Sequence, residues 1–139
     1  MTRFIDKDAE NSALEVMRRY TEAHNKLDTE AFVETFNFPL FDMSGKNGTI
    51  SVTAATKEEL ISQMPDMVKD LENQGRAYST FQRMEAVQSN PEKVHILCEF
   101  SRHHSDDFVY LQGELIYIVT KINEHWGVQF RSAMITLHE

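Results

Sequence analysis

Three stretches near the end of the chain decide its fold: KVHILCEFSRHH (93–104), FVYLQGELIYIVTKI (108–122) and WGVQFRSAMITL (126–137). Each alternates apolar and other residues with a period of two, the mark of a strand with one buried face. Ser105-Asp106-Asp107 and Asn123-Glu124-His125 separate them as short turns, so the three run antiparallel. YSTFQRMEAVQS (78–89) precedes them as a fourth strand, closed by the turn Asn90-Pro91. Gly113 inside a strand pattern predicts a bulge or bend that curls the sheet. A sheet of this length must bury one face, and the earlier part of the chain supplies the helices.

Working back toward the start, Thr56 and Glu59 predict a capping box for a helix that carries Leu60, Met64, Met67, Val68 and Leu71 at helical spacing. Gly75 is its natural stop. Pro65 either kinks this helix or divides it, because a proline in a helix interior removes a hydrogen bond and clashes with the preceding turn. PLFDM (39–43) and TISVTA (49–54), joined by SGKNG (44–48), predict a small hairpin. Asp28 is the expected N-cap of a short helix bearing Ala31, Phe32 and Phe36 and ended by Pro39. Ser12 and Glu15 predict a capping box for the first helix, with Leu14, Met17, Tyr20, His24 and Leu27 on its buried face. Residues 1–10 are expected to lie loosely on the surface. Helices first and a contiguous antiparallel sheet last is the α+β pattern, in one domain spanning 1–139. A curved sheet wrapped on helices makes a cone with a cavity at its open end.

The totals narrow the function. The formal charge is −8, from 14 basic and 22 acidic residues. This argues against nucleic acid or an anionic membrane as partner, since both reward a basic face. A single cysteine, Cys98, excludes an intrachain disulfide and reads as a small buried hydrophobe. With no apolar run of signal-peptide or membrane-span length, the cytoplasm is the expected location.

Two stretches carry a family resemblance. MRRYTEAHNKLDTEAFVETF (17–36) is similar to the helical opening of the nuclear transport factor 2-like superfamily, which includes SnoaL-like proteins and ketosteroid isomerase; YIVTKINEHWGVQFRSAM (117–134) is similar to its final hairpin. The chain also resembles uncharacterised bacterial members ending in WGxQxRS. The resemblance implies the cone-shaped, cystatin-like α+β fold, and a homodimer through the outer face of the sheet. It places Tyr20 at the isomerase's oxyanion-stabilising tyrosine and Asp42 nearest its general base. Ile118 stands near the second oxyanion donor, and isoleucine cannot donate a proton.

The candidate site residues follow from this and from strand parity. Trp126, Val128, Phe130 and Met134 share one face of the last strand, and Gln129, Arg131 and Ala133 the other. Apolarity turns the tryptophan face inward; the resemblance turns Gln129 and Arg131 inward. On the second reading Arg131 is a ligand anchor, its fork suited to a carboxylate or phosphate, or it forms an ion pair with an acid such as Asp42 or Glu99. Arg102 and His104 continue the face of Val94, Ile96, Cys98 and Phe100 toward the rim. His103 and His104 point to opposite faces and do not share a metal, and neither a metal nor a cofactor is expected. His24, one turn after Tyr20, either orients the tyrosine hydroxyl or acts as a base, or is a hydrogen-bonded core histidine.

Three functions stay open: a pocket for a small organic molecule, an organic acid fitting best; a proton-transfer isomerase, dehydratase or cyclase using Tyr20, Asp42 and His24; and a dimeric interaction module with no active pocket.

Overall fold

The computed structural model describes residues 3–46 and 48–138. The elements follow in the order α1 (Lys7–Lys26), α2 (Thr29–Val33), β1 (Phe36–Lys46), β2 (Thr49–Ala55), α3 (Lys57–Gln74), β3 (Tyr78–Asn90), β4 (Lys93–His103), β5 (Val109–Ile122) and β6 (His125–Leu137). The six strands form one sheet in the order β2-β1-β6-β5-β4-β3. All neighbours are antiparallel except β1 and β6, which pair parallel. The α+β architecture expected from the element order is present, and the parallel pair makes the sheet mixed. Of the expected turn 44–48, Asn47 lies outside the described residues.

Helix α1 begins earlier than its sequence suggests. Its N-cap is Asp6, whose carboxylate accepts from the Ala9 amide at 2.9 Å. Residues 7–10 are therefore the first helical turn, not a loose segment, and Ser12 is not the cap. The reason is tertiary. Glu10 is buried, and its carboxylate accepts from the Ser89 hydroxyl at 2.5 Å and from Arg3 at 2.9 Å. Ala13, Val16, Met17 and Tyr20 continue the buried stripe. They pack on Val94, Ile96, Cys98, Tyr117, Val119 and Val128 of the sheet's inner face. Burial pushes the Cys98 thiol up to about 12, so it is an inert core group.

Helix α2 is shorter than expected. Asp28 caps it, accepting from Ala31, but it stops at Val33 and Phe36 already opens β1. The stop comes from β6, where the Val128 amide donates to the Thr35 carbonyl at 2.8 Å. Gly127 permits that approach: a Cβ there would lie 2.6 Å from the Phe36 carbonyl carbon and 2.7 Å from the Asn37 nitrogen. Helix α3 is capped by the expected Thr56–Glu59 box, runs through Pro65 without a break, and ends on Gly75 at φ +73. Among the described residues no helix is long and apolar enough to cross a membrane.

The ladder departs from regularity elsewhere than at Gly113. Phe100 faces Gly113 in unbroken register. The missing side chain makes room for the Phe100 ring, whose nearest carbon would lie 2.3 Å from a Cβ. Bulges sit instead between Arg102 and His103, between Ile118 and Val119 on β5 opposite β6, and at two points of β3. Asn123 and Glu124 close the β5–β6 hairpin as a two-residue turn, with φ of 49° and 64°.

Because fixed backbone meets a Cβ at Gly127, Gly127→Ala is expected to lower the unfolding free energy by about 3 kcal/mol. Gly45→Ala meets the flexible tip of Ile50 at 3.2 Å and the Thr49 carbonyl oxygen at an ordinary 4.0 Å, and is expected to cost under about 1 kcal/mol. Urea denaturation of the two variants checks the difference.

Candidate functional site

A cavity of about 580 Å³ lies between the inner sheet face and the helices. Its position follows from the bulge in β6. Ile118 pairs with Phe130 and Val119 with Val128, so Gln129 is an extra residue that inverts the parity. Before the bulge Trp126 and Val128 pack inward on the core. After it Arg131, Ala133 and Ile135 face the cavity. The tryptophan face is thus inward in the first half of β6 and the Arg131 face inward in the second.

Gln129, expected on the cavity wall, belongs to the bulge. Its amide nitrogen donates to the Pro39 carbonyl at 3.2 Å and its oxygen accepts from Thr120 at 2.9 Å, which ties β6 to β1 and β5. His104 also stands off the cavity. It lies past the end of β4, beyond the register shift at Arg102–His103, where strand parity no longer sets direction. Its Nδ1 donates to the Gly75 carbonyl at 2.9 Å and its ring stacks on Tyr110 at 4.3 Å. His103 stacks on Tyr78. Among the described residues no group of three or more His, Cys, Asp or Glu side chains could hold a metal.

Tyr20, Asp42 and Arg131 meet at one wall. Asp42 and Arg131 are register partners across the parallel β1–β6 pair. Arg131 Nε donates to Asp42 Oδ1 at 2.7 Å and Nη2 to Oδ2 at 3.0 Å, a bidentate fork. Nη1 donates to the Tyr20 hydroxyl at 3.1 Å, and the guanidinium carbon stands 5.1 Å over the Phe36 ring. Burial works against the charge on Arg131, but the Tyr20 oxygen and the Asp42 carboxylate outweigh it and hold the guanidinium above its ordinary pKa. All three of its nitrogens are engaged, so the ion-pair alternative for Arg131 is the one realised. Tyr20 sits edge-on to the buried Tyr117 at 5.3 Å. Burial pushes the Tyr117 hydroxyl well above its usual pKa.

Arg102 has a different environment. It lines the cavity with its guanidinium 5.6 Å over the Phe100 ring. Its Nη1 donates to Gln74 Oε1 at 3.0 Å, and Tyr110 donates to the same oxygen at 2.8 Å. Its Nε is buried with no hydrogen-bond partner, and among the described residues no carboxylate pairs with it. His24 lines the cavity as well. Burial, then the positive charges of Arg76, Arg102 and Arg131, push its pKa down to about 3, so the ring is neutral at physiological pH. Arg76 and Gln74 were not singled out from the sequence. The one local signal is their place on either side of the helix-ending Gly75, where cationic and amide side chains reach terminal carbonyls.

The family model described as NTF2-like protein (DUF6841) matches residues 9–132. Among curated proteins none matches. Several solved structures share the fold. A protein of unknown function with a cystatin-like fold from Nostoc punctiforme superposes with a TM-score of 0.71 at 18% identity, over 96% of this chain and 95% of that one. An NTF-2 like protein of unknown function from Shewanella oneidensis gives 0.66 at 15% identity, over 89% and 97%. A ketosteroid isomerase-like protein from Erwinia carotovora atroseptica gives 0.67 at 12% identity, over 93% and 96%.

The depressed basicity of His24 makes stability depend on pH. Above about pH 6.5 the ring is neutral in both the folded and the unfolded chain. As pH falls below that, the unfolded chain takes up a proton that the folded chain refuses until about pH 3. Stability therefore declines with falling pH, by about 1 kcal/mol between pH 6 and pH 5. Denaturant melts at the two pH values should show this loss in the parent protein and a correspondingly smaller one in His24→Gln.

Proposed function

We infer that this chain, which belongs to the NTF2-like protein family (DUF6841), binds a small organic anion in the cavity, with Arg102 as the cation that meets it. The observation that carries this reading is the state of Arg102: it lines the cavity, it lacks a carboxylate partner among the described residues, and its Nε is buried unbonded. A donor N–H that is out of water and unbonded is costly unless something else supplies an acceptor. His24 adds no competing charge: burial first, and then the charges of Arg76, Arg102 and Arg131, hold its pKa down and keep the ring neutral beside Arg102. Leu60, Met64, Phe81 and Leu115 offer apolar wall to the body of a ligand, and about 580 Å³ lies within the usual range for a small-molecule site. Arg131, the expected anchor, is the weaker candidate because Asp42 already neutralises it.

A second reading, proton transfer, draws on one observation: Tyr20 and Asp42 both line this cavity. A similar fold occurs in a ketosteroid isomerase-like protein. Against it, both Asp42 oxygens are held by Arg131. Ile118 pairs with Phe130, whereas the neighbouring Tyr117 and Val119 are the ones in the core. The homodimer is proposed on the exposed apolar side chains Phe41, Met43, Ile116 and Met134.

Titration calorimetry with 4-phenylbutanoate tests the anion reading. Arg102→Ala is expected to weaken binding by about tenfold to a hundredfold, the span of one charge-assisted contact, while Arg102→Lys loses less. Unchanged affinity in Arg102→Ala would contradict it.

A further inference from the structure

Beside the cavity, Arg76 and His24 form a polar unit that the ion pair at Arg131 does not involve. The His24 ring lines the cavity, whereas Arg76 stands outside the lining. Arg76 Nη1 lies 3.2 Å from His24 Nδ1. A guanidinium has only donors to offer, so Nδ1 accepts and the ring proton sits on Nε2. Arg76 is itself held firmly. Nη2 donates to the His24 carbonyl at 3.1 Å and the Asn25 carbonyl at 3.4 Å; Nη1 also reaches Asn25 Oδ1 at 3.2 Å and Ser79 Oγ at 3.3 Å. Those carbonyls belong to the last turn of α1, whose negative end favours a cation. The Asn25 side chain in turn accepts from the Ser79 amide at 2.8 Å and donates to its carbonyl at 3.0 Å.

The other edge of the imidazole, Nε2, has no protein partner among the described residues and is not sealed in the core. The neighbours of the ring are Tyr20 on its own helix, Phe32 on α2 at 5.4 Å, Arg76 ahead of β3, Arg102 on β4 and Arg131 on β6. The charges that lower its basicity are those three arginines, and the carboxylates of Asp42 on β1 and of Asp66 and Asp70 on α3 line the same cavity. An imidazole so placed cannot serve as a cation, and its only basic nitrogen is occupied by Arg76. What it can present to the cavity is an N–H.

We propose that Arg76 is a positioning residue that fixes His24 as a neutral hydrogen-bond donor, its Nε2–H turned into the cavity, and that the site therefore takes an organic acid carrying a second oxygen acceptor, for which a 2-oxo acid is the probe. The carboxylate meets Arg102 and the oxo group meets His24. This rests on the anion-binding reading and adds to it a second point of recognition.

The tautomer is tested on the free protein. Long-range ¹H–¹⁵N correlation spectra of the ¹⁵N-labelled chain are expected to show His24 with a bare Nδ1 and a protonated Nε2 from pH 5 to pH 8. Arg76→Met is expected to mix the tautomers while the ring stays neutral, because burial, the main cause of its lowered basicity, remains. A protonated Nδ1, or an imidazolium at pH 6 in the parent protein, would overturn the proposal, and that spectrum decides the point even if the variant fails to fold. The ligand class is tested by titrating 4-phenyl-2-oxobutanoate against 4-phenylbutanoate. The oxo acid is expected to bind about tenfold more tightly, with the preference lost in His24→Phe. Equal affinities, both weakened by Arg102→Ala, would overturn this inference and leave the anion reading intact. No binding of either acid would overturn both.

Discussion

The charge on Arg131 is the constraint around which the inner end of the fold is arranged. A guanidinium placed under a sheet is costly unless its donors are matched, and here Asp42 matches two nitrogens and Tyr20 the third. Those partners come from β1 and α1, so one side chain of β6 ties together three elements far apart in the chain. The tie works only because β1 runs parallel to β6 and in the register that sets Asp42 beside Arg131. The stretch from Trp126 to Arg131 supplies what this requires. Gly127 lets the β1 backbone come close, Val128 seals the core and takes the Thr35 carbonyl, Gln129 forms the bulge, and the bulge turns Arg131 inward.

The two cavity arginines consequently differ in what they offer. Arg131 is neutralised, and its contribution is architectural. Arg102 rests on an aromatic ring and an amide, with no opposite charge from the described residues. Arg76 has no acid among the described residues either, but the carbonyls at the end of α1 take its Nη2 donors, while its Nε is buried unbonded like that of Arg102. An under-used cation, a neutral imidazole edge and apolar walls make a setting in which an organic anion is recognised.

Much of the fold was legible in the sequence because it is carried by local pattern. The period-two alternation of β4, β5 and β6, the Thr56–Glu59 box, Asp28 as a cap and Gly75 as a stop depend on neighbours within a few residues. What was not legible depends on partners distant in sequence. The start of α1 rests on Asp6 and on Glu10 meeting Ser89, and neither is an apolar landmark. The early end of α2 is imposed by β6. The parallel pairing of β1 leaves no trace in either strand alone. The bulge is hidden because Val128, Gln129, Phe130 and Arg131 alternate as a regular strand would. The same holds for the site: Tyr20, Asp42, Arg131, His24 and Arg102 do line one cavity, but which arginine is paired is decided by the register of β1 on β6.

The most direct test of this account is the coupling between Arg131 and Asp42, measured by denaturant unfolding of Arg131→Met, Asp42→Leu and the double variant. If the pair organises the inner end of the fold, the single changes each destabilise and the double change costs less than their sum, with a coupling of about 2 kcal/mol. Strict additivity, with a coupling near zero, would mean that the two side chains are neighbours without being partners and that the pair does not organise the inner end of the fold.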